Sequence, residues 1–197
     1  MCFDKIITKK FTDEVIIEYG IVKGSGCILL IKVGRDGDIY GYENKYLKIS
    51  KNINEKYGFS IVVASNFYTK EDSLENSIRL INEEFDSCRE IYFMGYSSGA
   101  IFGAKFAYLH PEIKKLLLIN GPLMINWIHT KRGIERFKAD EVVFIYGSKD
   151  PSFRYIGLID FINSIAKISI VSINGADHNF SKMIERFQLL PEEYLFK

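Results

Sequence analysis

The stretch Ile91-Tyr92-Phe93-Met94-Gly95-Tyr96-Ser97-Ser98-Gly99-Ala100 determines the fold class of this 197-residue chain. A strand is predicted over 90–94, apolar from Ile91 to Met94, and it stops at Gly-Tyr-Ser-Ser-Gly. A helix is predicted to follow over 98–109, with Gly99, Gly103 and Ala107 at four-residue spacing on one face. Each interior glycine costs a helix about 1 kcal/mol relative to alanine. A helix that must lie close against strands has reason to bear that cost. The spacing G-x-S-x-G between a strand and a helix holds the middle residue, Ser97, in a tight bend above the sheet edge. Its hydroxyl then stands beside helix amides that favour negative charge. The same residues also suit a strand-to-helix turn with a capping serine and no chemistry.

Outward from this point, strands alternate with helices. Strands are predicted at 3–8, 14–22, 27–33, 59–64, 113–119, 141–146 and 167–173, with a turn at Thr12-Asp13. Helices are predicted at 41–57 (Tyr42, Tyr46 and Ile49 or Ile53 inward), 71–85, 152–166 and 178–189. Residues 121–140 combine apolar Leu123, Met124, Trp127 and Ile128 with a basic run from Lys131 to Lys138. This order implies βαβ units in one domain over 1–197. The sheet is α/β, doubly wound and mostly parallel, with about eight strands, helices on both faces and an antiparallel pair at one edge.

A net charge of +1 gives no strong attraction to nucleic acid or acidic membranes. Three scattered cysteines, Cys2, Cys27 and Cys88, suggest reduced thiols in a cytoplasmic protein. No apolar run approaches bilayer length.

A serine needs a base to become a nucleophile, and the base needs a third group to orient it. In a parallel sheet these partners belong in loops at the carboxyl ends of strands. His110 closes the central helix, and His129 lies in the ambiguous segment. His178 follows the last strand, in Asn174-Gly175-Ala176-Asp177-His178-Asn179-Phe180. Asp150 follows another, in Tyr146-Gly147-Ser148-Lys149-Asp150-Pro151, where it also suits an N-cap. One carboxylate oxygen can cap while the other orients His178. The loop after 113–119 offers only Asn120 as an acid position.

The order of a Gly34 loop after a strand, Gly95-Tyr96-Ser97-Ser98-Gly99, Asp150 and His178 resembles the α/β-hydrolase family over nearly the whole chain. The resemblance implies a serine hydrolase of carboxylic esters or thioesters. Ser97 would be the nucleophile, His178 the base and Asp150 its orienting acid. The backbone amides of Ser98 and, by position, Arg35 would form the oxyanion hole. Val33-Gly34 stands where family members often carry His-Gly. The implied partner is a small-molecule acyl substrate, with no nucleic acid, membrane, metal or organic cofactor. Residues 121–140 are too short for a full lid and would form a reduced cap. Gly34, Tyr96, Leu123 and Trp127 would line the substrate pocket. A non-catalytic binding protein of the same fold, or an acyltransferase, fits the same residues.

Overall fold

The structure is a computed structural model that describes residues 2–11, 16–66, 73–85 and 90–196. The turn expected at Thr12-Asp13 lies outside these residues, as does Cys88. Among the described residues, eight strands form one sheet: β1 (Lys5–Lys10), β2 (Ile16–Val22), β3 (Ile28–Lys32), β4 (Ser60–Ala64), β5 (Ile91–Tyr96), β6 (Ile113–Ile119), β7 (Glu141–Gly147) and β8 (Lys167–Ile173). Their spatial order is β1-β2-β4-β3-β5-β6-β7-β8. The β1–β2 and β2–β4 pairs are antiparallel, and the remaining pairs are parallel. The order reverses between β3 and β5, which opens a crevice at their carboxyl ends.

Strand alternation divides the core into two layers. On one face Leu30, Phe93, Leu118 and Phe144 pack beneath α2 (Ser73–Glu84), α3 (Ser98–Phe106) and α4 (Trp127–Arg136). On the other, Ile31, Met94, Ile119 and Ile145 meet α1 (Lys45–Tyr57) and α5 (Ile184–Leu195). The interior strands read as nearly continuous apolar runs because helices cover both faces. No helix among the described residues is long and apolar enough to cross a membrane.

Three helices differ from their sequence patterns, each for a local reason. The helix expected over 41–57 starts at Lys45, because Gly41, Glu43 and Asn44 all have positive φ. Tyr42 therefore sits in a 3-10 turn, 63% exposed, while Tyr46, Ile49 and Ile53 are buried as expected. The segment expected as a helix over 152–166 is a 3-10 helix, Pro151–Phe161. Only Ser152 and Ile159 in it are buried, so no apolar stripe with α-helical period exists to hold an α-helix. The last helix runs over Ile184–Leu195, not 178–189, and carries Pro191 inside it. Phe180 has φ 55°, and the Asp177 carboxylate accepts the Ser181 amide at 2.9 Å, so turns occupy the start of the expected span.

Candidate active site

Ser97 joins β5 to α3 with φ 54° and ψ −120°, a conformation that costs a non-glycine residue of order 1–3 kcal/mol. The flanking glycines have steric reasons. A Cβ on Gly95 would lie 2.6 Å from the Gly99 carbonyl oxygen, and one on Gly99 would lie 2.2 Å from that of Lys32. Only bare backbone lets α3 approach β3 and β5 so closely.

The carboxyl ends of β5, β7 and β8 bring Ser97, Asp150 and His178 together. Ser97 Oγ lies 3.0 Å from His178 Nε2. His178 Nδ1 is hydrogen-bonded to Asp150 Oδ2. Asp150 Oδ1 accepts the Ser152 amide at 2.6 Å, so each carboxylate oxygen has its own task. The Asp150 side chain is fully buried and that of His178 is 38% exposed. Burial pushes the Asp150 carboxyl up, but hydrogen bonds from His178 and the Ser152 amide outweigh it and hold its pKa below the ordinary value. An ionised carboxylate only accepts, so Nδ1 carries the proton of neutral His178. Nε2 is then left to accept from the Ser97 hydroxyl. His110 is buried 3.9 Å from Glu75, and His129 is exposed on α4; neither belongs to this group.

Two residues outside any motif, Asn120 and Asn66, and Tyr96 within the serine motif hold these loops. Asn120, fully buried, accepts the Gly147 amide at 2.8 Å and donates to the His178 carbonyl at 2.9 Å, tying the acid loop to the base loop. The Tyr96 hydroxyl lies 2.8 Å from the same carbonyl and 2.9 Å from Asn179 Oδ1. Asn66 donates to the Val33 carbonyl at 3.0 Å and to Ser98 Oγ at 2.8 Å, pinning the Gly34 loop to the start of α3. That loop closes a turn from the Gly37 amide to the Gly34 carbonyl at 3.0 Å. A Cβ on Gly34 would sit 3.3 Å from that of Ser97, so the Arg35 backbone passes beside the serine.

A cleft of about 520 Å³ opens from here, lined by Gly34, Arg35, Tyr42, Lys45, Tyr46, Tyr96, Asn179 and others. Gly34 and Tyr96 stand in its wall as the sequence suggests. Leu123 and Trp127 do not line it. Leu123 is buried and Trp127 half-buried against the core layer under α3 and α4, the opposite face of the sheet from Tyr46. The reason is the packing of α4: a Cβ on Gly133 would meet the Ala104 carbonyl oxygen at 2.1 Å, so this helix lies directly on α3.

At the end of β3, Lys32 is fully buried, and its ammonium donates to the Ser65 carbonyl at 2.8 Å. Burial lowers its pKa to about 7 from 10.5. Between those values the unfolded chain binds a proton that the folded chain does not, so stability rises with pH across that window. Lys32→Met is expected to be more stable than the parent at pH 6, by on the order of a few kcal/mol. That advantage should shrink by pH 9, as read from urea midpoints at both pH values. An advantage that stays constant with pH would show that Lys32 is not the source of the slope.

No protein-family model matches the sequence, and no curated protein matches it. Solved structures do match in shape. Est1E from Butyrivibrio proteoclasticus superposes with a TM-score of 0.76 at 13% identity, covering 97% of both chains. An alpha-beta serine hydrolase homologue from Coxiella burnetii gives 0.73 at 16% identity over 99% of both. Dienelactone hydrolase from Anabaena variabilis gives 0.68 at 15% identity, over 98% of this chain and 96% of that one. Strand order, the bend at Ser97 and these full-length superpositions agree: the chain has the α/β-hydrolase fold.

Proposed function

We propose that this protein is a serine hydrolase of carboxylic esters or thioesters, working through an acyl-enzyme. The carrying observation is the 3.0 Å contact from Ser97 Oγ to a His178 ring whose other nitrogen is held by buried Asp150. Ser97 attacks the acyl carbon while Nε2 takes its proton. The imidazolium is stabilised by the Asp150 carboxylate and returns the proton to the departing alcohol or thiol. Water then attacks the acyl-enzyme by the same route in reverse. The backbone amides of Ser98 and Arg35 receive the negative charge that develops on the carbonyl oxygen, each worth roughly 2.7–4 kcal/mol in the transition state. Solved neighbours include an esterase domain from Rhodothermus marinus and Est1E with ferulic acid bound, which favours ester chemistry in this fold.

A fluorophosphonate probe tests the reading directly. It is expected to label the parent at Ser97, as peptide mass spectrometry reads, and to leave Ser97→Ala unlabelled. An unlabelled parent with a native circular dichroism spectrum would mean that the serine is not activated, and would favour a non-catalytic binding role.

A further inference from the structure

Among the described residues, the cleft beside Ser97 is lined by two cations and by no carboxylate, with the Asp38 charge acting on Tyr46 from outside the lining. Arg35 stands at its rim on the Gly34 loop. Lys45, the first residue of α1, is 4% exposed. Its ammonium lies 4.3 Å from the ring centre of Phe187, 4.4 Å from that of Tyr96 and 5.1 Å from that of Tyr46. Among the described residues it has no hydrogen bond and no acidic partner. Aromatic faces offset part of an ammonium's desolvation, but they satisfy none of its three N–H donors.

The start of α1 adds to this charge. Asn44 precedes it in a left-handed conformation with no side-chain cap, and its first turn holds no acidic residue. The positive end of the helix dipole thus meets no acidic side chain in its own first turn, although the Lys45 and Tyr46 amides donate to the Tyr42 and Tyr40 carbonyls. Burial lowers the Lys45 pKa to about 8, so it is still mainly cationic at neutral pH. A buried cation without an anion is poor for stability alone, since an apolar side chain of similar length would fill the place without the desolvation cost.

Tyr96 connects this cation to the chemistry. Its ring faces Lys45, its hydroxyl fixes the His178 loop, and Ser97 is the next residue. Lys45 and Ser97 thus flank one residue, Tyr96, so a single small ester can present an anion to the first while its acyl carbon meets the second. We infer that the cleft selects esters or thioesters that carry a carboxylate, and that Lys45 is the group that pairs with it. The inference rests on the hydrolase reading above for the reaction and on Lys45 for the selectivity. Pairing gives the ammonium the acceptor that it lacks, so the gain falls on charged substrates and not on neutral ones of the same shape.

The carboxylate could be carried on the acyl or the leaving side, and two matched substrate pairs separate them. The acyl pair is p-nitrophenyl hemisuccinate against p-nitrophenyl butyrate. The leaving-group pair is 4-acetoxybenzoate against 4-acetoxybenzamide. In at least one pair the charged member is expected to have the higher kcat/KM, by about tenfold or more, and raised salt should reduce that ratio. Lys45→Met should bring the ratio down to near one, chiefly through KM, while Lys45→Arg keeps most of it. A wild-type ratio near one in both pairs overturns the inference, as does a ratio unchanged in folded Lys45→Met. If Lys45→Met does not fold, the wild-type ratios and their salt dependence decide. Failure of the hydrolase reading looks different: no ester is turned over and Ser97 takes no label. The anion site is then judged by calorimetry with succinate, where binding kept in Lys45→Arg and weakened in Lys45→Gln supports it, and no binding, or binding unchanged in Lys45→Gln, overturns it.

Discussion

Ser97→Ala is expected to lower kcat for short-chain p-nitrophenyl esters by on the order of 10⁴ to 10⁶, with KM little changed. The hydroxyl is the only atom removed, and no neighbouring group can replace it. The His178 ring keeps its bond to Asp150, and Cβ at position 97 stays in the same left-handed backbone. Thermal unfolding should therefore move by only a few degrees. Asp150→Asn probes the same machinery from the other side. An amide that donates to Nδ1 would move the ring proton to Nε2, facing the serine, and a loss of about 10⁴ in kcat is expected. Stopped assays and circular dichroism on both variants check this. Ester turnover in Ser97→Ala above a tenth of the parent rate would remove Ser97 from the mechanism.

Gly99→Ala is expected to destabilise the protein by about 3 kcal/mol or more, a large effect for one methyl group. The added carbon would fall 2.2 Å from the Lys32 carbonyl oxygen and 2.6 Å from that of Val33, backbone atoms at the end of the central strand β3 and just beyond it. Relief requires α3 to lift away from β3, which also displaces the Gly34 loop from Ser97. For a chain of this size the melting temperature should drop by roughly 6–12 °C, with activity lost in proportion to the displaced loop. Gly157→Ala is the control, because nothing lies within 4 Å of its added carbon. Equal stability of the two variants would show that α3 does not lie as close to β3 as described.

The parts of the site that could be read from sequence share one property: each stands directly after a strand. Ser97, Asp150 and His178 follow β5, β7 and β8, where strand periodicity and a turn mark the position. The interior strands were legible because both their faces are buried, and β6 matches its expected span residue for residue; the half-exposed edge strand β8 matches as well, on its β-branched residues. The cleft was not legible in the same way. Its wall comes from the 3-10 turn at Tyr42–Asn44 and the first turn of α1, shaped by positive φ at Gly41, Glu43 and Asn44. Only glycine among these signals such a backbone in a sequence. Asn120 acts through backbone carbonyls and amides of distant loops, so its partners carry no recognisable side chains, and Asn66 reaches the Val33 carbonyl and Ser98 Oγ from more than thirty positions away. Leu123 and Trp127 mislead because an apolar residue that packs a helix onto its neighbour has the same composition as one that lines a pocket.

The sheet order has a consequence for the timing of biosynthesis. A ribosome delivers the central strand and its bend long before β7, β8 and the closing helix α5, whose Phe187 packs against Tyr46 and Tyr96. The base lies 81 positions after the serine, roughly 4–16 s of translation at ordinary elongation rates. Through that interval the nascent polypeptide holds a hydroxyl with nothing to deprotonate it. On the proposed reading, ester hydrolysis becomes available only once Asp150 and His178 have emerged and α5 has docked.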